Sequence, residues 1–147
     1  MNTIFNAAKG RLYREKQKSA AEKLPKDYRE LLAKRIAESP YSGGADYPGP
    51  YYMVYNHSHI DLGTKELEEN KKNSCADLPY NIRCNCDILA SFDRSYLVKL
   101  AKNLENMGFV TILGEVSLNE PIPNHRSELP VGEVTMEQEQ AAGFFWV

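Results

Sequence analysis

The chain has little cysteine and no long apolar run. Its 147 residues hold three cysteines, Cys75, Cys84 and Cys86. That odd, small number does not make a disulfide framework, and it suits a reducing compartment, so a cytoplasmic location is expected. No apolar run approaches the roughly 18 residues of a membrane span. No basic start followed by an apolar stretch marks a secretory leader. There is no glycine-rich phosphate loop, no G-x-S-x-G nucleophile turn and no zinc-finger spacing. Histidine is scarce, three in all, and Trp146 is the single tryptophan. These absences remove the common signatures of nucleotide-dependent and nucleophilic enzymes and leave a domain whose chemistry is not written in one motif.

What is present is an ordinary domain's complement. The hydrophobic fraction is 42% and the aromatic fraction 10%, which sets the chain apart from disordered sequences. A chain of this length can bury about 70% of its extended surface, enough for a core without staples. The net charge of −2 conceals a gradient. Residues 1–40 carry ten basic and five acidic side chains, residues 41–103 seven and eight, and residues 104–147 one and seven. A basic front and an acidic back suit an interaction tail or two halves that attract one another.

The stretch 82–116 states its structure most plainly. Ile82, Cys84, Cys86 and Ile88 alternate with Arg83, Asn85 and Asp87, the period of a half-buried strand. Ser91 and Asp93 are candidate N-caps. Leu97, Leu100, Leu104 and Met107 recur at helical spacing, with Lys99, Lys102 and Glu105 on the other side. Gly108 fits a left-handed helix terminus. Phe109, Val110, Ile112, Leu113 and Val116 then read as a strand apolar on both faces, hence interior to its sheet. Strand, helix, strand with short joints predicts two parallel strands, adjacent or one strand apart.

The flanks are read around this unit. Residues 1–38 predict two helices, the first with a thin stripe of Phe5, Ala8 and Leu12, the second burying Tyr28, Leu31, Leu32, Arg35 and Ile36. Residues 39–50 form a Gly/Pro/Tyr loop, and 51–55 a strand rich in tyrosine. A short polar helix is expected from Thr64 to Lys72. Residues 119–147 lose periodicity and form an irregular acidic tail. The expected fold is a single α+β domain: a small mixed β-sheet with a βαβ-like unit at 82–116, α/β core at 51–118, and N-terminal helices.

Two chemical hints stand out. His57, His59 and Asp61 follow a strand as H-x-H-x-D, and such a set can chelate zinc. Over these five residues the spacing is similar to the metal motif of metallo-β-lactamase-type hydrolases, although the residue after Asp61 is Leu62 where that family usually has a histidine. The resemblance implies a metal-dependent hydrolase. Cys84 and Cys86 could complete a zinc site with Cys75 or the histidines, but alternating cysteines on a strand behave first as small hydrophobes.

Tyr47, Tyr51, Phe144, Phe145 and Trp146 are aromatic residues in a loop, at a strand start and in an apolar C-terminal run. They are the candidate protein-interaction residues. The expectation is therefore a small intracellular binding protein without catalytic activity or cofactor, of the sort phage and mobile elements use to modulate a partner protein. Its partner is another protein or a second copy. The alternatives are the hydrolase on His57, His59 and Asp61, and a nucleic-acid binder through the basic N-terminal helices, where Tyr13 and Tyr28 sit among cations diluted by Glu15, Glu22, Asp27 and Glu30.

Overall fold

The structure, a computed structural model, describes residues 2–41, 49–57, 86–129 and 132–145, with backbone alone for 2–7. The predicted helix 64–72, with Cys75, Cys84, Tyr47, His59, Asp61 and Trp146, lies outside the described residues.

Chain order is α1 (Asn2–Glu22), α2 (Lys26–Ala37), β1 (Tyr51–Asn56), β2 (Cys86–Ser91), α3 (Arg94–Asn106), β3 (Ile112–Glu115), a 3-10 turn (Arg126–Glu128) and α4 (Met136–Ala142). The sheet runs β2-β1-β3, and β1 is antiparallel to both neighbours. β2 and β3 therefore run parallel to one another with β1 between them, as the strand–helix–strand pattern predicts. The mixed sheet expected from sequence is antiparallel in all three described strands. A parallel contact occurs as an isolated bridge between His57 and Val134.

The interior strand is β1. Its YYMVYN sequence is buried from Tyr52 onward. Among the described strands β3 lies at the sheet edge, against the interior place expected for the apolar run 109–116: Leu113 is 42% and Val110 43% exposed. Gly114 is part of the reason. A Cβ there would come within 2.4 Å of the Tyr52 ring, so the tyrosine of β1 lies over the site a side chain would fill.

α3 forms as its pattern dictates. Asp93 caps it by accepting from the Tyr96 amide at 3.1 Å. Leu97, Leu100 and Leu104 are buried and Lys99, Lys102 and Glu105 exposed. Met107, counted in the stripe, is the helix C-cap and lies 40% exposed. Gly108 has φ of 96°. Its amide donates to the Glu105 carbonyl and that of Phe109 to the Leu104 carbonyl, each at 3.0 Å. This paired closure satisfies the orphan carbonyls and turns Phe109 back onto the core.

Each sheet face has its own cluster. Met53, Tyr55 and Leu89 meet α3, α4 and Tyr13 of α1. Tyr52, Val54, Cys86, Ile88 and Ala90 meet Leu32 and Ile36 of α2, Tyr41, and Val116, Ile122 and Leu129 of the segment after β3. α1 corrects its predicted stripe. Leu12 is 53% exposed and Ala8 is exposed, whereas Tyr13 and Gln17 are buried. The Tyr13 hydroxyl donates to Ser91 Oγ at 2.7 Å, and Gln17 Oε1 accepts from the Phe92 amide at 2.7 Å. A face that anchors through polar groups carries no hydrophobic period. The tail beyond 119 is likewise built in: α4 starts with a capping box on Thr135 and Gln138.

No described helix is long and apolar enough to cross a membrane.

Candidate functional site

The strand period places Tyr55 and His57 on one face at the end of β1. α4 crosses there and inserts Glu139, 1% exposed. The Tyr55 hydroxyl donates to Glu139 Oε2 at 2.6 Å, and His57 Nδ1 lies 3.4 Å from Oε1. Asp87 faces Tyr55 across the β1–β2 ladder. Burial pushes the Glu139 carboxyl up to about 7; the Tyr55 hydrogen bond opposes this and the Asp87 charge adds to it. Burial also raises the Tyr55 phenol well above its ordinary value, with the Glu139 charge acting in the same direction. The cluster holds a proton near neutrality and ties α4 to the sheet. Its carboxyl is shut off from solvent.

His57 is thus placed beside a carboxyl, and its predicted companions His59 and Asp61 lie outside the described residues. His57 and Glu139 offer two metal donors. Among the described residues no group of three or more histidines, cysteines or carboxylates is placed to hold a metal. Cys86 belongs to the opposite sheet face from His57's cluster: it is fully buried and donates to Asn56 Oδ1 at 3.1 Å. Cys86 and the His57 cluster thus lie on opposite faces of the sheet.

The aromatic candidates separate. Phe144 is 1% exposed and packs on Tyr55 with ring centroids 5.5 Å apart. Phe145 stacks on Tyr96 at 4.5 Å and meets Tyr13 edge-on at 5.3 Å. Both dock within this chain. Tyr51 is half-buried and lines a pocket of about 210 Å³ with Tyr52, Arg94, Leu113 and Glu115, at the β3 edge.

A larger cleft, about 480 Å³, opens between α1 and α2. Ala21, Leu24, Leu32, Ala33 and Phe92 give it apolar walls. Lys18, Lys26 and Arg29 are its cations, and Glu22 and Glu30 its carboxylates. Lys26 reaches Glu30 at 3.9 Å. Arg29 Nε is buried, with no hydrogen-bond partner among the described residues. Sequence reading saw the basic charge of this hairpin but not the cleft, which arises where the helix turn meets Phe92. Glu139 gave no signal either, being one acid among several in a short helix.

No protein-family model, curated protein or solved structure matches the chain.

Proposed function

We propose that this protein acts by binding another protein, and that the α1–α2 cleft receives a segment combining acidic residues with a large apolar side chain. The cleft carries this reading. Its volume falls in the range of sites that enclose a ligand group, about 300–1,000 Å³. Its walls are apolar, it carries three cations against two carboxylates, and residues 1–40 as a whole hold ten basic against five acidic side chains. Nucleic acid suits the site less well, because phosphate contacts use a concentrated positive face and Glu22 and Glu30 interrupt this one.

Selection of displayed peptides on the immobilised protein, with counter-selection on Ala33→Trp, tests the reading. Ala33 is exposed on α2, so the tryptophan fills the cleft and leaves the core alone. Enriched peptides should carry Asp or Glu beside a large apolar residue. Their affinity should fall about tenfold or more on Ala33→Trp, as expected where one anchor occupies a pocket. Arg29→Gln should weaken them and flatten their salt dependence. Peptides indifferent to Ala33→Trp, or stronger salt-dependent binding to oligonucleotides, would overturn the reading.

A further inference from the structure

β3 pairs with β1 on one side and with no described strand on the other. Val116 donates to the Pro50 carbonyl at 2.6 Å. By the alternation of an antiparallel ladder, Ile112 and Gly114 also turn their backbone groups toward β1, and Thr111, Leu113 and Glu115 turn theirs outward. Native edges are usually blunted by lysine, proline or a bulge. β3 has none of these, and its one charge is Glu115 at the end. Exposed apolar side chains lie on and just before it: Leu113 and Val110.

We infer that β3 pairs edge to edge and antiparallel with β3 of a second copy of this chain, about a two-fold axis at Leu113. The strand's own sequence argues for a second copy. A two-fold normal to the sheet keeps each face on its own side, so residue pairs must share a face. Centred on Leu113, the axis brings the two Leu113 side chains, each 42% exposed, together on the face that α3 covers. Ile112 falls opposite Gly114 of the second copy, where the Tyr52 ring already lies, giving a β-branched side chain an aromatic neighbour. Glu115 meets Thr111, and the two glutamates stay apart. An axis at Glu115 would oppose like charges. The product is a continuous sheet that joins the three described strands of each copy. Five paired residues per strand place the contact at the low end of specific interfaces, about 1,200 Å² in total, so the dimer is weak and depends on concentration.

Sedimentation analysis of the full chain from micromolar to near-millimolar concentration should show a reversible monomer–dimer equilibrium. Leu113→Lys, which sets two like charges opposite one another, should weaken it about tenfold or more with an unchanged circular dichroism spectrum. Cα atoms across a hydrogen-bonded antiparallel pair lie about 5.5 Å apart, within disulfide reach. Leu113→Cys should therefore oxidise to a symmetric covalent dimer that peptide mass mapping identifies, whereas Met136→Cys, at a 60% exposed position, should not. The cross-link remains a readout if Leu113→Lys fails to fold. A monomer at every concentration, an open series of larger species, or a dimer indifferent to Leu113→Lys and not cross-linked through Leu113→Cys would overturn the inference.

Discussion

The two faces of the sheet are closed by different means. On the Tyr55 face the cover is regular: α3 lays down Leu97, Leu100 and Leu104, and α4 adds Ala142 and leads into Phe144. Polar groups are buried there in matched sets, Tyr13 with Ser91 and Gln17, and Tyr55 with Glu139. On the Tyr52 face α2 covers part, and the rest is an irregular segment pressing in Val116, Ile122 and Leu129. A helix stripe spreads its burial over several turns. An irregular cover depends on single anchors and on the groups that hold its backbone, so the two faces should fail differently when cut.

Phe144→Ala should give the largest loss. The side chain is 1% exposed, and truncating a buried phenylalanine costs about 3–5 kcal/mol. Lys102→Ala on the exposed side of α3 should change stability by less than about 0.5 kcal/mol. Urea titrations of the two variants check this. Comparable losses would mean that the C-terminal segment does not close the Tyr55 face.

The second cut is chemical. In the unfolded chain Glu139 titrates at its ordinary 4.5, and in the folded chain at about 7. Between those values the folded state holds the extra proton. The contribution is fully present below about pH 4.5 and is lost as pH rises through 7, since stability falls wherever the native state binds more protons. A difference of this size corresponds to roughly 3 kcal/mol. Glu139→Gln should remove this slope from chemical unfolding measured between pH 4.5 and 8 while keeping an acceptor for Tyr55. A wild-type profile rising across that range would contradict a buried, protonated Glu139.

The Tyr55 face was largely legible in the sequence, because α3 is regular enough to show a period and carries its own cap and terminus in Asp93 and Gly108. Tyr13 and Gln17 were not, since they reach the sheet through hydrogen bonds that leave no apolar repeat. The run 109–116 reads as an interior strand for a related reason, although β1 is the central one of the described strands. A run such as Phe109 to Val116 and a run such as Tyr51 to Tyr55 look equally buried, and the choice rests on which partners flank each. Of the candidate site, His57 was visible as a histidine and Glu139 was not, because they meet only when α4 folds back over β1.

A smaller loss than either of these cuts into the core is expected from the irregular cover. The Tyr41 hydroxyl donates to the Pro123 carbonyl at 2.7 Å and accepts from the His125 amide at 2.7 Å. One phenol thus holds both sides of the turn that carries Ile122, in place of the ladder that a strand would supply. Tyr41→Phe keeps the ring, which is 4% exposed, and deletes the oxygen. It leaves a carbonyl and an amide short of their partner, a cost of about 1–2 kcal/mol. The loss should be local. Amide exchange at His125 should accelerate more than exchange at Leu100, because an opening of the 116–129 segment needs no opening of α3. Equal acceleration at both sites would mean that the two faces unfold as one unit and that the contrast between them is structural without being energetic.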